Sequence, residues 1–300
     1  MNEMIKTVYI LHLDGIALLS MNPENPDQKE SGSFTDLFGG FSSAINTLLV
    51  ELGHKELKSI TVEDGILAYS SQDPVLFVVH AVNPKFEQFA KLLVKQVEYE
   101  FFRFYDEKLK NREFFVNSDN FIPFESKIIE LFSSLKKLQD QYPEILEFLP
   151  SFIPLSRLYE VLNIGLDIIY GYPDDTIKLV RHLSEYFDND SGIEEVIAQT
   201  LGRYAGHRIA KSRFKKKIVL NPEEILDLLN EISVTKLDSN QEFFDVLLCP
   251  ICRGKTSEKP ICQFFSGFIE GALDNPGISV EETSCRALGA NSCRFTLNRV

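Results

Sequence analysis

The chain has 300 residues, a formal net charge of −13, 44% hydrophobic and 25% charged residues. That balance belongs to a globular protein of about two domains at ~150 residues each, and it excludes a disordered or fibrous chain. The acidic excess excludes a general nucleic-acid binder, which needs a basic face to release counterions from phosphates.

The opening MNEMIKTVYILHLDGIALLS lacks the long apolar stretch and small-residue cleavage site of a secretion signal. No run of ~18 apolar residues occurs, so no transmembrane helix is expected, and the expected location is cytoplasmic.

Residues 5–82 read as strands punctuated by Asp-Gly turns. Val8–Leu13 meets Asp14-Gly15 and then Ile16–Leu19, a strong short-range hairpin signal. The pattern recurs with Ile60–Val62, Glu63-Asp64-Gly65 and Ile66–Tyr69, and Val75–His80 completes a sheet of five strands. Between the hairpins, Phe41, Ala44, Ile45, Leu48, Leu49 and Leu52 recur at helical spacing, with Gly53 where a C-cap belongs. A long amphipathic helix follows from Pro84 to Tyr105. The histidines of the strands, His12 and His80, read as core or surface residues.

This order of strand, strand, helix, three strands and helix resembles the longin and roadblock group. The phrases that carry the likeness are YILHLDGIALLS, FGGFSSAINTLLVELG, ITVEDGILAYS and LFVVHAV. The resemblance implies a non-catalytic platform that binds small GTPases or trafficking partners.

Residues 111–149 read as a helical connector, with a helix around Ile128–Leu138. Beyond Pro150 and Pro154, Leu158, Leu162, Leu166 and Ile169 form one helical face that ends at Tyr170-Gly171-Tyr172-Pro173. Asp174 or Asp175 then caps the next helix. A further helix covers Ile193–Ala210. The basic run Lys211–Lys217 (KSRFKKK) is either a solvated helix end, where cations favour the carbonyl pole, or a patch for phosphate, a lipid headgroup or an acidic partner.

A helix over Glu223–Ile232 precedes strands at Ser233–Leu237 and Phe243–Leu248. After the Cys249-Pro250-Ile251-Cys252 loop come a helix over Lys259–Leu273 and a hairpin of Ile278–Ser284 with Asn291–Leu297. The expected fold class is α+β, with a domain over 1–110, the connector over 111–149 and a second domain over 150–300.

All five cysteines lie between 249 and 293. In a reducing compartment they point to a metal or reactive site rather than disulfides. Period-2 alternation places Ile278, Val280 and Glu282 on one strand face and Glu281 on the other. An inward carboxylate is costly unless a cation or donors meet it. Cys285 is three residues on, so the strand must end or bulge near Thr283 for both side chains to converge. Cys293, Phe295 and Leu297 share a face, and Cys262 heads a helical stripe with Phe265, Ser266, Ile269 and Leu273.

These residues are consistent with Cys262, Glu282, Cys285 and Cys293 meeting at one point. An all-thiolate set of Cys249, Cys252, Cys285 and Cys293 stays open, with Cys262 as a buried hydrophobe. So do a mixed set, a second reactive dithiol, and cysteines as metal-free core residues. Gly267 and Gly271, four apart, are expected to let their helix approach the sheet closely.

The stretch CPICRGKTSEKPICQFFSGFIEGAL…ISVEETSCRALGANSCRFTL resembles the 4-vinyl reductase family, with a Cys-led helix and then E-x2-C-x7-C-x-F. The likeness covers residues 245–297 and weakens upstream. It implies a structural zinc on Cys262, Glu282, Cys285 and Cys293, beside a pocket for a hydrophobic ligand. The aromatic pocket chemistry of the family's sensors does not transfer, because one contact there is Trp and this chain has none.

No G-x-S-x-G, P-loop, dinucleotide fingerprint or H-E-x-x-H motif is present, so no catalytic residue is expected. Longin-type and vinyl-reductase-like domains are also the two subunit folds of the TRAPP tethering complex. Their fusion in one chain implies a TRAPP-like scaffold with a small GTPase as partner, self-association as a homodimer, and an acyl or other hydrophobic ligand. The alternative is a hydrophobic-ligand sensor.

Overall fold

The apolar runs around Asp14-Gly15 and Gly65 become adjacent strands because the turns reverse the chain within two to four residues. In the computed structural model, residues 3–28, 32–52, 57–63, 65–110, 112–150, 155–172, 175–189, 195–214 and 220–299 are described. Gly53, Asp64, Pro154, Pro173, Asp174 and the Lys215–Lys217 end of the basic run fall outside them. The chain divides into two compact units, Met1–Ser156 and Arg157–Val300.

In the first unit, β1 (Ile5–His12), β2 (Ala17–Met21), β3 (Ser59–Val62), β4 (Gly65–Gln72) and β5 (Val75–Ala81) form an antiparallel sheet in the order β2-β1-β5-β4-β3. Gly15, at φ 89°, supplies the left-handed turn residue between β1 and β2. The central strands are apolar on both faces because both are covered. On one face Tyr9, Leu11, Leu67, Tyr69, Leu76 and Val78 cluster with Phe38 of α1 (Gly32–Glu51). On the other, Phe77 meets Phe101 of α2 (Glu87–Tyr105) edge-on at 5.3 Å.

The segment expected as a connector packs within this unit. Phe121 and Phe124 are wholly buried, with ring centroids 5.9 Å and 5.4 Å from that of Phe101. Tyr105 donates its hydroxyl to the Asn120 carbonyl at 3.0 Å, and burial pushes its pKa up to about 12. Helix α3 (Glu125–Gln141) turns Ile128, Leu131, Phe132, Leu135 and Leu138 inward, with Phe132 against Phe89 of α2. The 24 phenylalanines of a tryptophan-free chain are explained in large part by this aromatic layer.

The second unit opens with α4 (Leu155–Gly171), α5 (Thr176–Asn189), α6 (Glu195–Arg213) and α7 (Pro222–Ile232). Leu162, Leu166 and Ile169 of the expected α4 face are buried, while the Leu158 side chain lies outside the described ones. Asp175 accepts the Lys178 backbone N–H at 3.0 Å, as a helix cap does. A capping box of Asn221 and Glu224, with Pro222 in the first turn, starts α7. An antiparallel sheet follows in the order β6-β7-β9-β8, built from β6 (Thr235–Leu237), β7 (Phe243–Val246), β8 (Ile278–Ser284) and β9 (Cys293–Arg299), with α8 (Gln263–Leu273) between β7 and β8. Both units are α+β, as expected.

Two local expectations are corrected. The helix expected from Lys259 begins at Gln263. Pro260 disfavours helical backbone at Lys259, and the Cys262 N–H is taken by a side-chain acceptor on β8. The glycine pair of α8 faces a helix rather than the sheet. A Cβ on Gly267 would lie 2.1 Å from the Gln199 carbonyl oxygen, and one on Gly271 would lie 1.9 Å from that of Arg203. In return, Gly202 and Gly206 of α6 press on the Phe264 and Phe268 carbonyls. Residue numbers rise together along both helices, so α6 and α8 run parallel in backbone contact, close enough for Cα–H···O contacts.

Candidate metal centre

Four segments of the second unit deliver the cysteines. After β7, the chain turns through Cys249-Pro250-Ile251-Cys252, where the Lys255 N–H closes on the Cys252 carbonyl at 3.1 Å and Gly254 takes φ 74°. Cys262 caps the N-terminus of α8, Cys285 precedes a short 3-10 turn (Arg286–Leu288), and Cys293 opens β9 opposite Val246. All five thiols are free and buried.

Glu282 reaches the same place through strand alternation. Along β8, Val280 and Glu282 are buried while Glu281 and Thr283 are exposed. The register against β9 shifts between Glu282 and Ser284, the irregularity that lets Glu282 and Cys285 converge. Glu282 Oε2 accepts the Cys262 backbone N–H at 2.8 Å. Its Oε1 is buried with no hydrogen-bond partner of proper geometry.

One donor atom each from Cys252, Cys262, Glu282, Cys285 and Cys293 lies within 4.8 Å of all the others. Cys252 Sγ is 2.8 Å from Cys262 Sγ and 3.4 Å from both Cys285 Sγ and Cys293 Sγ, and Cys262 Sγ is 3.8 Å from Cys293 Sγ. Cys249 touches the group through Cys262, at 3.3 Å. A tetrahedron with ~2.3 Å metal–sulfur arms has edges of about 3.8 Å, so most of these separations are close to those of a shared tetrahedral ion. The structure thus gathers Cys262, Glu282, Cys285 and Cys293, and adds Cys252. Spacing alone left Cys252 among the alternatives; the closeness of its Cys-Pro-Ile-Cys turn to the N-terminus of α8 is a property of the fold.

The electrostatics show a site short of positive charge. Burial, and then the Cys285 thiol, push the Glu282 carboxyl up to about 8. The Cys262 thiol helps hold Cys285 down at about 6, and hydrogen bonds from Cys249 and Cys262 push Cys252 down. Cys262 and Cys293 are pushed up, first by Cys249. In a low-dielectric pocket a few thiolates exhaust the anionic charge the group can carry, so its neighbours keep their protons. A dication relieves that competition and allows several thiolates and the carboxylate to ionise together. The donor set fits a thiophilic, four-coordinate metal.

Residues 243–299 match the model of the 4-vinyl reductase domain, a stretch from β7 to β9 that includes all five cysteines. An uncharacterized protein of Methanocaldococcus jannaschii is 32% identical over 90 residues, covering 27% of this chain and 50% of that protein. The chain therefore spans about half the length of that curated relative.

Proposed function

We propose that the second unit is a non-catalytic ligand-binding module clamped by one structural zinc ion on Cys262, Glu282, Cys285 and Cys293. The observation that carries this reading is the Glu282 carboxylate. It is 6% exposed, has one oxygen without a partner and stands among thiols. An uncompensated buried carboxylate costs several kcal/mol, so such an arrangement calls for a cation. Four protein ligands close the zinc's coordination and leave no open position for chemistry. The ion would tie the turn after β7, the start of α8 and the β8–β9 hairpin into one rigid body. Thiols kept free accord with a reducing, cytoplasmic location.

The test is metal analysis of the purified chain by mass spectrometry and inductively coupled plasma emission. About one zinc per chain, lost in Cys285→Ser, is expected. A metal-free protein whose melting temperature is unchanged by added zinc or chelator would sink the reading.

A second reading adds a partner. The five-stranded sheet and helix order of the first unit support a longin-like platform, which makes the whole chain a TRAPP-like scaffold associated with a small GTPase. Pull-down with nucleotide-loaded small GTPases tests it, and failure to capture any in either nucleotide state counts against it.

A further inference from the structure

Three large aliphatic side chains of the second unit stay exposed and come together. Ile177 on α5, Val234 ahead of β6 and Leu248 behind β7 are 48%, 52% and 60% exposed. All three line one groove of about 810 Å³, within the ~300–1,000 Å³ range of small-molecule sites. Arg181, Arg253 and Arg286 line the same groove.

Three guanidinium groups beside one apolar strip are unexpected in a chain of net charge −13, and guanidinium stays charged at any working pH. Two carboxylates also line the groove. Glu231 is held by Arg213, and Glu185 lies 3.4 Å from His182 Nδ1, so each has a cationic or donor neighbour of its own. Arg286 Nη1 donates to the Leu247 carbonyl at 2.7 Å, which fixes the guanidinium while its other N–H groups remain to be used. Arg253 directly follows Cys252, and Arg286 directly follows Cys285. The segments that carry the thiols therefore also set the cations at the groove.

We infer that this groove binds a small amphiphile with a carboxylate head. The head meets Arg253 and Arg286, with Arg181 adding positive charge, and the apolar body lies along Ile177, Val234 and Leu248. A planar guanidinium pairs with a carboxylate through two parallel hydrogen bonds, which selects that head over a hydroxyl. A partner helix is a poorer fit, because a stable protein interface needs about 800 Å² per side and three exposed aliphatic residues do not supply it. The inference rests on reading the second unit as a ligand-binding module and names its ligand class and site.

The test is isothermal titration of the full-length, metal-loaded chain with dodecanoate, decanoate, dodecanol and dodecyltrimethylammonium below their aggregation limits. Dodecanoate is expected to bind one per chain. Decanoate should bind roughly tenfold more weakly, at about fourfold per buried methylene. Dodecanol should be at least about tenfold weaker and the cationic amphiphile weaker still. Arg253→Ala, at an exposed position, should weaken dodecanoate by about tenfold and leave dodecanol unchanged, with Arg253→Lys recovering part of the loss. Equal binding of dodecanoate and dodecanol, or full affinity in Arg253→Ala and Arg286→Ala alike, overturns the site while leaving a ligand-binding module in place. No binding of any amphiphile overturns the inference outright. Dodecanoate binding to a chain that holds no zinc leaves it standing and removes the metal reading instead.

Discussion

Replacing Gly271 with Ala tests whether the backbone contact between α6 and α8 organises the second unit. Alanine normally strengthens a helix interior by up to about 1 kcal/mol over glycine. Here the new Cβ would sit 1.9 Å from the Arg203 carbonyl oxygen and 2.6 Å from its carbonyl carbon, both backbone atoms that no rotamer change can move aside. Ordinary contact needs about 3.4 Å, so the two backbones must part by roughly 1.5 Å. A gap of even 0.5–1 Å forfeits about a quarter to a half of each dispersion contact along the seam, and overpacking of this kind costs about 1–3 kcal/mol or more. The steric term outweighs propensity. The expected net loss is about 2 kcal/mol, or roughly 4–8 °C in melting temperature for a unit of this size. Because Cys262 stands at the N-terminus of α8, zinc affinity should fall as well. The assay is urea unfolding followed by far-UV circular dichroism, together with zinc release to a chromophoric chelator. Gly171→Ala is the control, since a Cβ there meets nothing within 4 Å; it should be neutral or stabilising. If Gly271→Ala proved as stable as the parent chain and held zinc equally well, the close parallel packing of α6 and α8 would be wrong.

Cys249→Ser should keep about one zinc per chain, because Cys249 lies outside the group of mutually close donors; zinc loss there would favour the all-thiolate set. Glu282→Gln should lower zinc affinity, by roughly tenfold or more in a competition titration, if the carboxylate ligates rather than merely capping the Cys262 N–H. In the metal-free chain, the Glu282 pKa of about 8 lies above its ordinary 4.5, so the folded state keeps a proton that the unfolded chain has released. Its contribution to stability is full below about pH 4.5 and is lost as pH rises toward about 8, by a few kcal/mol at most. Denaturation profiles of the metal-free chain should slope downward across that window, and Glu282→Gln should flatten them. The metal-loaded chain should behave oppositely and lose zinc on acidification, as protons compete for the thiolates. At the β7–β9 pair, Arg294 binds Asp245 through two hydrogen bonds of 2.9 Å and holds its carboxyl below the usual range. That contribution is present above pH ~4 and lost as pH falls. Arg294→Lys should reduce it, with a stability loss below about 1 kcal/mol at this partly exposed site.

Local patterns made much of this protein legible. Hairpin signals at Asp14-Gly15 and Gly65, with period-2 runs beside them, yielded all five strands of the first sheet. Alternation along Ile278–Glu282 identified Glu282 as inward and Glu281 as outward, and the short interval to Cys285 called for the irregularity found between Glu282 and Ser284. Periodicity succeeds there because a strand or helix repeats over a few residues whatever surrounds it.

Other features depend on which faces meet, and no local repeat encodes that. The polar-looking stretch before α3 turned out to bury Phe121 and Phe124 against Phe101, because α2 offers them an aromatic face some twenty residues earlier in the chain. Gly267 and Gly271 signalled a close approach, yet only tertiary packing showed that the partner is α6, with its own Gly202 and Gly206. The cysteines followed the same division. Their residue types and the strand register pointed to Cys262, Glu282, Cys285 and Cys293, whereas the place of Cys252 among them depended on a turn folding back over the start of α8. Sequence spacing sets which way a side chain points along its own element; the long-range packing of separate elements sets what it meets.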